Sequence, residues 1–83
     1  MWTLYILRCK DNSLYTGITN NLSNRIYLHY TGKGSKYVYS RLPFILVFTT
    51  KVNTKSEALK LEWKIKKMSK KEKEKLIKNV IFT

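Results

Sequence analysis

With 83 residues, the chain is long enough for one domain, and this length excludes a multi-domain enzyme. Its 43% of hydrophobic residues excludes an intrinsically disordered chain, and its one cysteine, Cys9, excludes an intramolecular disulfide and a cysteine-rich zinc site. Seventeen Lys and Arg against five Asp and Glu give a net charge of +12, which favours polyanionic partners such as nucleic acid.

The first part of the chain is predicted to form a β-hairpin followed by a helix. Residues 2–9 are rich in aliphatic and aromatic side chains, the turn residues KDNS follow, and SLYTGIT resumes the strand pattern. Asn20 or Asn21 can cap a helix that continues to about Thr31, where Gly32 favours a helix C-terminus.

The second part is predicted to add a third strand and two helices. SKYVYSRLP has no clear period and indicates an irregular segment or a single helical turn before the apolar strand FILVFTTKV. Thr54 and Glu57 match a capping box at the start of a helix that continues to about Met68. Ser69 and Glu72 repeat the capping box for a final helix.

This order of elements predicts an α+β fold with a mostly antiparallel three-stranded sheet flanked by helices, in one domain over residues 1–83. The first ten residues contain an apolar run that is too short to span a bilayer, and they lack the basic start and cleavage site of a signal peptide. We therefore expect a cytoplasmic protein that does not associate with a membrane.

Glu62 is the one carboxylate in an unusual setting. The other acidic residues fall in a turn, in helix caps or in a lysine-rich run, whereas Glu62 lies among the apolar positions of its helix. A partly desolvated carboxylate needs a cation. That cation is either Lys66, one turn further along the helix, or a divalent metal such as Mg²⁺ or Mn²⁺.

Arg25 and His29 lie one turn apart on the first predicted helix. One interpretation is a solvated arginine and a histidine that caps the helix C-terminus. The other is a phosphate site, in which Arg25 neutralises charge in the transition state and His29 orients water or binds phosphate.

Tyr5 and Tyr15 lie on the two strands of the predicted hairpin, and one register places both rings on the same face as Gly17. A shifted register would separate the two rings. The pair is either simple cross-strand packing or the polar tip of a pocket for a backbone phosphate.

The segment from Thr31 to Arg41 interleaves basic and aromatic side chains. Lys33, Lys36 and Arg41 alternate with tyrosines that include Tyr37. This pattern suits a surface that binds a nucleic-acid strand, where phosphates meet charge and bases stack on rings.

Taken in order, five segments resemble the GIY-YIG nuclease domain, in particular its small stand-alone bacterial members: LYI, YTG, NNLSNRIYLH, GKGSKY and SEALKLEWKIKKMS. The resemblance covers nearly the whole chain and implies a three-stranded antiparallel sheet. It also implies phosphodiester hydrolysis with one divalent metal ion. The first half-motif departs from the family name, because Thr3 stands where that motif has glycine.

The resemblance also implies roles for individual residues. Tyr5 and Tyr15 match the tyrosines of the two half-motifs, Arg25 matches the arginine of the first helix, and His29 matches the position one turn later. Glu62 matches the glutamate that binds the metal, and Lys36 is a weaker match to a basic residue near the phosphate. One tyrosine is expected to orient or deprotonate the attacking water while Arg25 stabilises the pentavalent charge.

The expected function is therefore a metal-dependent endonuclease that acts on DNA rather than RNA, in repair or other processing. A noncatalytic nucleic-acid-binding module is the alternative, since Lys33, Lys36 and Arg41 would serve it equally well. A third interpretation is an accessory domain that uses Trp2, Trp63 and Phe82 as an apolar surface. The sequence leaves the form of the substrate and the oligomeric state open.

Overall fold

A computed structural model describes residues 1–79 as an antiparallel sheet between two layers of helices. The strands are β1 (Trp2–Cys9), β2 (Leu14–Thr19) and β3 (Phe44–Val52), in the order β2-β1-β3. The helices are α1 (Leu22–Tyr30), α2 (Lys36–Tyr39), α3 (Lys55–Lys66) and α4 (Lys70–Lys78). The predicted α+β fold is confirmed, and the segment before Pro43 forms the single helical turn that is α2.

The central strand β1 is covered on both faces. For this reason the four residues Leu4–Leu7 are fully buried, in a continuous apolar run rather than an alternating one. One face packs against α1 and α2 through Leu22, Ile26 and Val38. The opposite face packs against α3 and α4, with the side chains Leu61, Ile65, Leu76 and Ile77.

Polar side chains at the helix starts fix the ends of the helices. The Ser69 hydroxyl accepts from the Glu72 N–H, and the Glu72 carboxylate accepts from the Ser69 N–H, which completes the predicted capping box of α4. At α3 the box is only half formed. Thr54 accepts from the Glu57 N–H, but the Glu57 carboxylate turns to the Thr54 hydroxyl at 3.2 Å rather than to the backbone N–H.

The strand register decides which side chains share a face. Tyr5 pairs with Gly17 and Leu7 pairs with Tyr15, so the two tyrosines lie on the face that α1 covers. At the other end of β1, Arg8 holds α4 through a bidentate ion pair with Glu74, at 2.6 and 2.7 Å. Within residues 1–79, no helix is long and apolar enough to cross a membrane.

Candidate active site

The Tyr5 phenol is held by a buried histidine. Its hydroxyl lies 2.8 Å from Nε2 of His29, and both side chains are fully buried. The backbone N–H of Ser35 donates to Nδ1 of His29 at 3.4 Å, so a neutral ring carries its proton on Nε2 and donates it to the phenol oxygen. Burial and then the charge of Arg25 lower the pKa of His29, which keeps the ring neutral.

His29 therefore does something that neither sequence interpretation contained. Both ring nitrogens are used within the protein, so His29 neither caps the helix end nor faces a phosphate, and instead positions Tyr5. Gly34 makes this arrangement possible, since a Cβ there would lie 2.7 Å from His29 Nδ1. Sequence reasoning missed Ser35 and Gly34, because the motif GKGS gives no sign that its backbone returns to a helix residue.

Gly17 leaves room for the Tyr5 ring. A Cβ at position 17 would lie 2.5 Å from the Tyr5 hydroxyl oxygen and 2.6 Å from its Cζ. The space that the sequence suggested for a phosphate is consequently filled by the phenol itself. No phosphate would fit between Gly17 and the Tyr5 ring.

Tyr15 lies beside Tyr5 and is only half-buried, with ring centroids 6.4 Å apart. The Tyr15 ring packs at 6.0 Å against Tyr37, and the Arg41 guanidinium lies 3.8 Å above the Tyr37 ring. Arg41 also pairs with Asp11 at 3.1 Å. Tyr37 and Arg41, predicted as nucleic-acid contacts, thus support the Tyr15 ring, and the charge of Arg41 is partly used within the protein.

The charges of Arg25 on α1 and Glu62 on α3 both act on the Tyr5 phenol. Burial raises the pKa of the Tyr5 phenol, the Arg25 guanidinium beside it opposes this shift, and the charges of Tyr15 and Glu62 add to it. The Tyr5 hydroxyl in turn raises the pKa of Arg25. Three residues from separate segments of the sequence, Tyr15, Arg25 and Glu62, therefore lie within electrostatic range of the Tyr5 phenol.

The Glu62 side chain is 19% exposed and pairs with Lys66 Nζ at 3.2 Å, which is the local ion pair that the sequence offered as one alternative. Lys66 is 54% exposed and free to turn into solvent. No group of three or more His, Cys, Asp or Glu that could hold a metal ion occurs within residues 1–79. A cation at Glu62 would thus have at most two such ligands from residues 1–79, a donor set that fits Mg²⁺ completed by water and phosphate oxygens.

The remaining candidate residues make few contacts that the structure describes. Lys33 and Lys36 are exposed near the α1–α2 connection, and neither forms an ion pair within the described part of the chain. Trp2 is half-buried, with Lys55 Nζ 5.4 Å from its ring centroid. Phe82, part of the expected apolar surface, lies outside the described residues.

Residues 1–75 match the family model of the GIY-YIG catalytic domain. The chain belongs to this family. It is 53% identical over 74 residues to a UPF0213 protein of Oceanobacillus iheyensis, covering 89% of this chain and 86% of the relative. A UPF0213 protein of Cronobacter sakazakii is 43% identical over 76 residues, with coverages of 92% and 80%.

Solved structures show the same GIY-YIG fold. The solution NMR structure of a UPF0213 protein from Bacillus halodurans has a TM-score of 0.64 and 43% identity, and covers 96% of this chain and 86% of its own. A solution NMR structure from E. faecalis has a TM-score of 0.66 and 40% identity, with coverages of 93% and 82%. The resemblance expected from the sequence is confirmed.

Proposed function

We propose that this GIY-YIG protein is an endonuclease that hydrolyses DNA phosphodiester bonds with one divalent metal ion, Mg²⁺ or Mn²⁺. The observation that carries the proposal is that the Tyr15 ring lies beside the Tyr5 phenol and that the charges of Arg25 and Glu62 both act on this phenol. Family membership supports the nuclease class. We extend the proposal to a cytoplasmic protein that acts in DNA repair or processing, with residues 1–83 as one domain.

Arg25 is suited to stabilise a phosphoryl transition state. Arg25 is half-buried, and the Tyr5 hydroxyl and then Tyr15 raise the pKa of its guanidinium. A fixed cation in a partly desolvated site interacts more strongly with developing negative charge than a solvated one does. We assign to Arg25 the stabilisation of the negative charge that develops on the phosphate oxygens during attack.

Tyr15 is the phenol that we assign to the attacking water. It is half-buried and can meet solvent, whereas Tyr5 is fully buried and bonded to His29. A phenol in this position can orient water through a hydrogen bond. The buried Tyr5 ring packs beside the Tyr15 ring and helps to fix its position.

Glu62 is the residue that would hold the metal. When bound, Mg²⁺ or Mn²⁺ supplies Lewis-acid polarisation of a phosphate oxygen. Lys66, the competing partner, is 54% exposed and can turn into solvent, so its ion pair with Glu62 leaves the carboxylate accessible to a metal ion.

The test is cleavage of labelled single-stranded, duplex and branched DNA with Mg²⁺ or Mn²⁺ at matched salt. We expect cleavage that needs the metal and that both Glu62→Gln and Tyr15→Phe abolish. Glu57→Gln is the matched control, since Glu57 lies on the same helix but is exposed and engaged only at the helix cap. Cleavage that survives Glu62→Gln would refute the assigned site.

A noncatalytic nucleic-acid-binding module is the second candidate. The Glu62–Lys66 ion pair favours it, since the pair gives Glu62 a cationic partner without a metal ion, and the net charge of +12 serves a binder as well as an enzyme. Tight binding of all three DNA forms without cleavage of any would establish this alternative.

A further inference from the structure

Two large apolar side chains of α3 point away from the core. Trp63 is 63% exposed and Leu59, one turn earlier, is 46% exposed, while Ala58 and Ile65 of the same helix are buried. An exposed tryptophan beside an exposed leucine is costly to leave in water. This face of α3 takes no part in the core packing or in the proposed catalytic chemistry.

The surroundings of these two side chains are positively charged. They line an open groove of about 620 Å³ together with Lys60 and Lys64, and none of the carboxylates within residues 1–79 lines it. Lys67 adds its ammonium 4.2 Å from the Trp63 ring centroid. An apolar groove with cationic walls fits a ligand that combines flat apolar surfaces with regularly spaced negative charge.

Nucleic acid has this combination of properties. Bases stack on exposed aromatic rings without regard to sequence, and neighbouring lysines neutralise the phosphates on either side. Leu59, which lines the groove, is one turn from Glu62 on the surface of α3, so the groove adjoins the position at which Glu62 would meet a strand. A purely apolar partner would leave Lys60 and Lys64 unpaired against it.

We propose that the groove lined by Leu59, Lys60, Trp63 and Lys64 is a nucleic-acid subsite, in which one base stacks on the Trp63 indole and the two lysines contact adjacent phosphates. The proposal rests on nucleic acid as the substrate class of the proposed function. The subsite extends the interface from the catalytic residues along α3. The nucleotides that bind there lie away from the phosphodiester bond that is cleaved.

The experiment measures binding in the Glu62→Gln variant, so that no cleavage interferes. With Trp2→Phe added, Trp63 is the sole tryptophan, and its fluorescence is followed during titration with a short mixed-sequence single-stranded oligonucleotide. Inorganic polyphosphate, which has the charge but no bases, is the comparison ligand. We expect the oligonucleotide to quench Trp63 strongly and polyphosphate to quench it weakly.

Affinity is measured in parallel by anisotropy of a labelled oligonucleotide. Trp63→Ala is expected to weaken binding by about fivefold to a hundredfold, as for loss of one stacked base, and Trp63→Phe to retain most of the affinity. Lys60→Gln with Lys64→Gln should reduce the salt dependence by a slope of about one per lysine. Tyr27→Ala is the control, because Tyr27 is a 64% exposed aromatic on α1, and it should bind like the parent.

Unchanged affinity in Trp63→Ala, or equal quenching by polyphosphate and oligonucleotide, would overturn the subsite. A fall in sedimentation coefficient in Trp63→Ala without loss of affinity would also overturn it, and would assign the groove to contact between copies of this chain. The two proposals fail separately. If the protein binds through Trp63 but cleaves no DNA, only the proposed nuclease activity is refuted. If the protein cleaves DNA and Trp63→Ala leaves the affinity unchanged, only the proposed subsite is refuted.

Discussion

Gly17→Ala tests whether the site depends on close contact between β2 and the Tyr5 ring. The added Cβ would lie 2.5 Å from the Tyr5 oxygen and 2.6 Å from Cζ, about 1 Å inside ordinary van der Waals separation. The ring has no open direction in which to move, because it is fully buried and its oxygen is bonded to His29. Either the strand or the phenol must shift.

The expected cost follows from two contributions. Overpacking a filled core costs about 1–3 kcal/mol. Weakening the buried Tyr5–His29 hydrogen bond adds about 0.5–1.5 kcal/mol. We therefore expect Gly17→Ala to lower the free energy of unfolding by about 2–4 kcal/mol, a large part of the roughly 5–15 kcal/mol of a small domain.

The assay is urea unfolding followed by circular dichroism, for Gly17→Ala in the wild-type chain and in a Tyr5→Leu background. In the second background the ring atoms that the added Cβ would meet are absent, so the effect of Gly17→Ala should largely vanish. Unchanged or increased stability of Gly17→Ala in the wild-type chain would refute the close packing. An equal loss in both backgrounds would attribute the cost to the strand rather than to Tyr5.

Three further predictions concern buried titration, an ion pair and a stacked ring. Burial lowers the pKa of His29, so at acidic pH the unfolded chain binds a proton more readily than the folded chain does. The free energy of unfolding of the wild type should therefore fall as the pH drops below about 6.5. Urea titrations at several pH values should show a flatter dependence for His29→Gln. Arg8 lowers the pKa of Glu74, so their ion pair stabilises the fold above about pH 4.3 and loses this effect at lower pH. In thermal melts, the melting temperature of Glu74→Gln should fall less with acidification than that of the wild type. Arg41→Met removes the guanidinium above Tyr37 and should cost about 0.5–1 kcal/mol in urea unfolding, and a neutral result would show that the stacked geometry contributes nothing.

Local chemistry made most of the elements readable from the sequence. The caps Asn21, Thr54 and Ser69 mark the starts of three helices, and each accepts a backbone N–H as expected. The hydrophobic pattern of β1 indicated a strand, although the sequence did not reveal that both of its faces are covered. The half-formed capping box at Thr54 shows the limit of such motifs, because the Glu57 carboxylate can accept either from the Thr54 hydroxyl or from the Thr54 N–H.

The site was only partly predictable. Tyr5, Tyr15, Arg25 and Glu62 were selected by residue type, pattern and family resemblance, and the structure brings them together. The role of His29 was not foreseen, since it depends on a contact across 24 residues with Tyr5. Such contacts leave no periodic trace in the sequence.

The sequence by itself determined the order of strands and helices, the positive charge and the inventory of chemical groups, because propensity, capping and charge act between near neighbours in the chain. Only the tertiary structure decided the register that places Tyr5 over Gly17. The physical reason is that strand pairing has a period of two, so a slip of one residue would turn the same side chains to the opposite face. Packing of α1 and α3 against the sheet then fixed which cation and which carboxylate meet at the phenol.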